Sequence, residues 1–545
     1  MVVSSRNCSS ESMPQSHLDE LPNNIDSQDP QRVELSQSQT SWLLFSVLIV
    51  ALCGIAYELI IAAVSSYLLG NSVAQFSITI GLFMFSMGIG SYLSKFIAND
   101  LVFRFVQIEV AVALVGGLSA TLLFLVFPYF GLYHAVMYLL TLVIGILVGL
   151  EIPILTRILT GSGSVSESLA HVLSLDYLGA LIGSVGFPLL LLPRLGLFRS
   201  SFGIGILNIA IAGLAIIVLG KNCASLRSLR LLVLLTAGIL IVGLVFSAQI
   251  ARYAEGMLFA DEVIYQEQSP YQRIVFTKNA RNGELRLYLD GHLQFAESDE
   301  YRYHESLVHP AMSCGGIPKR ILVLGGGDGL AIREVLKHNS VERIDLVDID
   351  PQITALAQSF GPLRALNGNC FLDTRVHIHS TDAFSYVLQY YRDLPDREPY
   401  DRIVVDLPDP HNEALNKLYS REFYKLCHRV LSNDGAMVTQ SGSPIVTREA
   451  FWSIHATLVD SGFRTLPYRI SLNSFGEWGF QLAVKAESGV DPQGVRLQPI
   501  DRQYLSDEVF QYSQCFSLDT ERLPVPVNTI FEPKLYLLYE KGVGK

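Results

Sequence analysis

Between Trp42 and Phe246 the chain runs through about seven apolar segments, each about as long as a helix needs to cross a hydrocarbon core. They are Trp42–Leu69, Phe76–Leu93, Val106–Phe127, Leu132–Leu150, Tyr177–Leu192, Phe202–Leu219 and Leu231–Phe246. Only helices and closed barrels satisfy every backbone group in hydrocarbon, so the stretch is expected to fold as an all-α transmembrane bundle. Gly81, Gly88, Gly90, Gly116, Gly117, Gly179, Gly183 and Gly186 allow close helix approach. Glu58, Glu109 and Glu151 are costly in such a place unless they face the bundle interior or water, which makes them candidates for a cation path. Their other reading is local pairing, or reach to the interface from a helix end.

Only 17% of the 545 residues are charged, and the charges crowd into the second half, so two different chains are joined end to end. The expected divisions are a polar, disordered tail over 1–40, a membrane domain over 41–248, a small β domain over 249–315 and an α/β domain over 316–545. The tail lacks the basic start, apolar middle and cleavage site of a signal peptide. A net charge of -11 without a basic stripe argues against a nucleic-acid partner. The seven cysteines form no C-x-x-C pair, and neither a metal site nor a disulfide framework is expected. With seven spans, the loop charges Lys95, Arg104, Arg157, Lys221, Arg227 and Arg230 fall on the tail's side of the membrane and Arg194 and Arg199 on the other. Taken literally, that distribution exports the C-terminal half.

Beyond Ala248 the pattern alternates. Runs from Arg273 to Thr277 and from Leu285 to Asp290 read as strands of a small antiparallel β unit. Arg320–Leu324 then reads as a buried parallel strand, followed by the turn Gly325-Gly326-Gly327-Asp328-Gly329 and a helix through Arg333–His338. A second strand, Arg343–Asp348, ends in acid about twenty residues after the glycines, the opening of a doubly wound, Rossmann-like α/β domain. Alone, the pattern fits a dinucleotide, a methyl donor or a bare tight turn. Further strands, Val376–His379 and Asp401–Val405, lead into Asp382 and into Asp406-Leu-Pro-Asp409-Pro. Asp328, Asp348, Asp382, Asp406 and Asp409 are thereby expected at one edge of the sheet, where open α/β folds bind ligands. A single strand-end Asp is commonly a helix cap or turn former. Five together describe an acidic pocket.

From Ser269 to about Ala483 these residues resemble the spermidine-synthase family of polyamine aminopropyltransferases. The matching pieces include Ser269-Pro-Tyr-Gln272, Leu289–Gln294, Asp299–Glu305, the glycine turn, Asp348-Ile-Asp350, Asp382-Ala383, Asp406–Pro410, Leu418–Tyr424, Gln440 and Gly476–Phe480. The helical half is similar to that of bacterial members with an N-terminal multi-span region. The resemblance implies transfer of an aminopropyl group from decarboxylated S-adenosylmethionine, a co-substrate rather than a cofactor, to a diamine such as putrescine. It implies Asp406 as the proton acceptor, with Tyr303, His304, Asp328, Asp409, Gln440 and Trp478 around the amine. Gln272, Gln294, Gly325, Gly327, Asp328, Asp348, Asp382 and Ala383 are implied for the donor. Asp348, on the ribose, stands where many members carry Glu. Asp328 beside the donor's tail would repel the carboxylate of ordinary S-adenosylmethionine and attract the bare aminopropyl ammonium. The resemblance also implies a homo-oligomer. Cytosolic substrates place the catalytic half in the cytoplasm, at the inner face of the cell membrane. Two rivals share parts of this pattern: a membrane-tethered methyltransferase, and a polyamine transporter or sensor without turnover.

Overall fold

A computed structural model describes residues 36–69, 72–160, 165–219, 226–259, 261–394 and 397–543. Most of the polar tail lies outside them, although Gln37–Thr40, expected in that tail, already belong to the first helix. Among the described residues seven long helices form the N-terminal half: α1 (Gln37–Leu69), α2 (Ser72–Leu93), α3 (Leu101–Val126), α4 (Phe130–Leu159), α5 (Val165–Gly186), α6 (Leu192–Leu219) and α7 (Leu226–Val245).

By length and composition, six helices among the described residues are long and apolar enough to cross a membrane, against the seven segments expected. The difference is one junction. Ser166–Leu219 runs as a single 54-residue stretch through a π-helical turn at Phe187–Leu191, and is broken at Gly196, whose φ of 71° is left-handed. A Cβ at Gly183 would lie 2.8 Å from the Leu52 carbonyl oxygen, while the Cys53 thiol is 3.9 Å from the carbonyl of Ile204. In a straight helix residues 183 and 204 would be about 31 Å apart. Both meet the same turn of α1, so the chain folds back between them and α5 and α6 are separate segments.

Close packing explains the glycines of this half. A Cβ at Gly90 would fall 2.1 Å from the Ile146 carbonyl oxygen, and one at Gly149 2.2 Å from that of Met87, so α2 and α4 touch backbone to backbone.

The boundary expected at Ala248 falls inside a further helix, α8 (Ser247–Leu258). A four-stranded antiparallel meander follows: β1 (Glu262–Gln268), β2 (Arg273–Lys278), β3 (Leu285–Leu289) and β4 (His292–Ala296). Then come α9 (Glu300–Met312), β5 (Arg320–Gly325), α10 (Leu330–Leu336), β6 (Arg343–Asp348), α11 (Pro351–Ser359), α12 (Gly361–Leu366) and β7 (Val376–Ser380). The chain continues through α13 (Ala383–Arg392), β8 (Tyr400–Asp406), α14 (Glu413–Asn416), α15 (Arg421–Val430), β9 (Leu431–Gln440), α16 (Arg448–Asp460), β10 (Phe463–Leu472), β11 (Gly476–Lys485), α17 (Asp507–Ser513) and α18 (Leu535–Val543).

Seven of these strands make one sheet in the order β10-β11-β9-β8-β5-β6-β7, parallel except for β11, which runs against both β9 and β10. Both faces are covered. Ile321 and Val323 of β5 enter one core and Leu322 and Leu324 the other, which is why its sequence is continuously apolar instead of alternating. After β7 the chain returns past β5 to form β8, so the strand order reverses between β5 and β8. Ligands bind at such a point, beyond the strands' C-terminal ends.

Because the α2–α4 contact is backbone to backbone, Gly149→Leu should force the helices apart. Overpacking of this kind costs about 1–3 kcal/mol, read as a lowered melting temperature. Gly81→Leu, where a Cβ meets nothing within 4 Å, should leave it unchanged.

Candidate active site

At that reversal a cavity of about 340 Å³ opens over the ends of β5, β6 and β8, with β3 and β4 on its far side. Gly325 pairs in register with Asp406, and its φ of 78° turns the chain out of the strand. A side chain at Gly327 would lie 2.6 Å from the Asp348 carboxylate. That closeness lets the Gly327 N–H donate to Asp348 Oδ2 at 3.0 Å, while the Asp350 N–H donates to Oδ1 at 2.9 Å. Burial pushes Asp348 up to about 6 despite both bonds.

Asp350 ties the two sheets together. It is fully buried, caps α11 through the Gln352 N–H, and accepts from the Ser269 hydroxyl at 2.7 Å and Gln272 Nε2 at 3.0 Å. Gln272 is thus held against the cavity by a carboxylate from the other sheet. Gln294, on β4, donates to the His292 carbonyl and also faces the cavity. Asp382 caps α13 through the Ser385 N–H, and Ala383 begins that helix. Burial would raise Asp382, but Lys417 at 2.8 Å and the cap outweigh it and the net shift is downward.

A charged, hydrogen-bonded cluster gathers on α9. Tyr303 donates its hydroxyl to Asp406 Oδ1 at 2.8 Å. Beside it, His304 bonds through Nδ1 to the Glu300 carboxylate at 2.9 Å, and Arg333 grips Glu300 at 2.8 and 2.9 Å. Burial alone would lower His304; the Glu300 carboxylate, with Asp406 and Asp328 beyond it, raises it to about 9. The ring is therefore an imidazolium at neutral pH. Asp328 is pushed up by burial to about 6, with His304 opposing and Asp406 adding to the rise. Burial raises Asp406 as well, against the pull of His304 and Tyr303.

Of the residues expected at the site, Gln272, Gln294, Tyr303, His304, Gly325, Gly327, Asp328, Asp348, Asp382, Ala383, Asp406 and Trp478 line the cavity. Asp409 and Gln440 are not among the lining residues. Gln440 Nε2 donates to the Leu407 carbonyl at 2.8 Å, to the Tyr419 hydroxyl at 2.6 Å and to Asp409 at 3.1 Å, bracing the loop after β8 from behind. The other oxygen of Asp409 accepts from Tyr539 of α18 at 2.6 Å, and burial raises this carboxyl to about 6.

Sequence reading missed Glu300, Arg333, Lys417 and Tyr539. Glu300 and Lys417 sit within or beside motifs that were noticed, at Asp299–Glu305 and Leu418–Tyr424. For Tyr539, 130 residues from its partner, no local signal exists.

His304 lies above the ordinary histidine value of about 6.5. Its charged form therefore stabilises the fold fully below that value, and the contribution is lost as pH rises through about 9. The shift corresponds to on the order of 3 kcal/mol. A melting-temperature series from pH 6.5 to 9.5 should fall, and His304→Gln should flatten it.

Residues 300–492 match the spermine/spermidine synthase domain. The polyamine aminopropyltransferase of Leptospira interrogans is 42% identical over 500 residues, covering 92% of this chain and 98% of that one. That of Mycobacterium tuberculosis is 36% identical over 516 residues, with 92% and 97% covered. A solved spermidine synthase in complex with the transition-state analogue AdoDATO is 27% identical, covering 52% of this chain and 88% of that one at a TM-score of 0.41. A match of 500 residues is too long for the sheet half alone, and the resemblance therefore runs through the helices as well. Across both halves, the chain belongs to the polyamine aminopropyltransferase family.

Proposed function

We propose that this protein transfers the aminopropyl group of decarboxylated S-adenosylmethionine to a diamine such as putrescine, releasing methylthioadenosine. The observation that carries the reading is Asp406, held by the Tyr303 hydroxyl at 2.8 Å in the wall of a cavity also lined by Asp328 and Asp348. A sulfonium is already a good leaving group. The protein's task is to align the amine for in-line attack and to take up its proton. The amine nitrogen bonds to the aminopropyl carbon, the carbon–sulfur bond breaks with its electron pair going to sulfur, and the ammonium proton passes to Asp406. Burial keeps Asp406 a better base than a free carboxylate, and the Tyr303 phenol fixes its direction.

Asp348 and Gln272 fit the donor's sugar, and Asp382 with Ala383 its base. Asp328 fits the aminopropyl ammonium and disfavours a donor that keeps its carboxylate. On the acceptor side Trp478 and Tyr303 wall the cavity, while Gln440 and Tyr539 act through Asp409 as positioning residues. The amine is a cation, so its binding wants these acids ionised. Apparent amine affinity should improve as pH rises through about 6, where Asp328 of the cavity wall loses its proton. Asp406→Asn should abolish methylthioadenosine formation from the donor and a panel of di- and polyamines, scored by mass spectrometry. Unchanged turnover in that variant would exclude Asp406 as the base, and no aminopropylated product from the unaltered protein would exclude the reaction.

We also infer that the helical half lies in the cell membrane with the catalytic half on its cytoplasmic side, where the substrates are. Support for insertion is the set of long apolar helices with outward apolar side chains such as Phe85, Leu181 and Leu234, 64%, 59% and 69% exposed. Cys515 is the exposed thiol among the described cysteines, the others being buried. With Cys8 and Cys223 changed to Ser, a membrane-impermeant maleimide should label Cys515 in inverted vesicles and not in intact cells. The opposite pattern would put the enzyme outside.

A further inference from the structure

The core of the helical half contains acid without base. Glu109 of α3 is fully buried and Glu151 of α4 is 1% exposed, yet among the described residues no Lys, Arg or His of the seven helices is buried. Among the described residues one polar bond is made between them and their neighbours: Asn208 of α6 donates through Nδ2 to Glu109 Oε2 at 2.8 Å. Glu109 Oε1, both carboxylate oxygens of Glu151, Asn208 Oδ1 and the hydroxyl of Tyr57 on α1 are buried without a partner. These residues come from four helices, of which α1 packs on each of the other three and α3 packs on α4 and α6. Glu109 and Glu151 are near enough to act electrostatically on each other, and both on Tyr57. Buried polar atoms are normally satisfied, and ionisable groups in an apolar bundle are strongly unfavourable unless they bind something.

We propose that Tyr57, Glu109, Glu151 and Asn208 form a second amine site, separate from the catalytic cavity, which takes the ammonium end of a linear amine. The ligand class follows from the donor count. A primary ammonium presents three N–H donors, no acceptor and one positive charge. The four residues offer it three unpartnered carboxylate oxygens, one unpartnered amide oxygen and a phenol. A metal ion fits less well, since no group of three or more His, Cys, Asp or Glu among the described residues is arranged to hold one.

Asp176 of α5, half-buried, acts electrostatically on Glu151. Pro153 lies two residues after Glu151 inside α4, where its missing N–H lets the helix bend beside the acid. The choice of an amine rests on the function proposed above: the two halves of one chain would handle the same compounds, the sheet half making them and the helical half binding them.

The test is binding of radiolabelled spermidine to the full chain in lipid nanodiscs, with the catalytic cavity filled by saturating AdoDATO. About one saturable spermidine per chain should remain. Glu109→Gln/Glu151→Gln should abolish it, and Tyr57→Phe, which removes one hydroxyl and little volume, should weaken it about tenfold. Both variants should keep forming methylthioadenosine when AdoDATO is omitted. No saturable binding in the AdoDATO-filled protein, or binding unchanged in both variants, would overturn the proposal. Failure of the same preparation to form methylthioadenosine would instead count against the catalytic reading, so the two failures are separable.

Discussion

The imidazolium of His304 is the charge around which the catalytic cavity is arranged. Five carboxylates line that cavity, Asp290, Asp328, Asp348, Asp382 and Asp406, and Lys417 is already committed to Asp382. Burial raises Asp328 and Asp348 to about 6, and repulsion among neighbouring acids adds to it. His304 opposes it from beneath. It stays charged because Glu300 holds its Nδ1 and Arg333 holds Glu300. The chain Arg333–Glu300–His304 links α10 to α9, so a device that sets charge in the pocket also fixes the helix carrying Tyr303.

An acidic pocket only partly neutralised suits a cationic ligand. It leaves negative charge for the amine and the aminopropyl ammonium to compensate, which water supplies less well in a space of low polarity. The same logic fits Asp406, the proposed base, being held by a phenol. Tyr303 stays protonated because burial and the nearby Asp406 charge both oppose its ionisation, so it donates to Asp406 throughout.

The helical half follows a related rule at lower polarity. Its glycines bring backbones together, as at Gly90 and Gly149, and the space saved is spent on contact between helices. Against that background the Tyr57–Glu109–Glu151–Asn208 constellation stands out as polar atoms that packing does not explain. The break at Gly196 matters for the same reason, since folding α5 back from α6 sets both against α1 and brings Asp176 towards Glu151.

Much of this was legible in the sequence. The apolar segments, the strand–turn–helix at Arg320–Leu336 and the acids after β6 and β8 are local features, written in the spacing of neighbouring residues, and the family motifs ordered them. β9, β10 and β11 were not individually foreseen, because a sheet completed by antiparallel strands late in the chain depends on partners far away. Tertiary structure alone decided that Gln440 and Asp409 brace the wall instead of lining it, that Tyr539 reaches Asp409 from the last helix, and that His304 is charged. The sequence by itself determined which segments become helix or strand and which turn needs glycine, since steric limits and periodicity act over a few residues. Charge state and hydrogen-bond partnership were left to the fold, because they depend on desolvation by residues that meet only when distant elements pack.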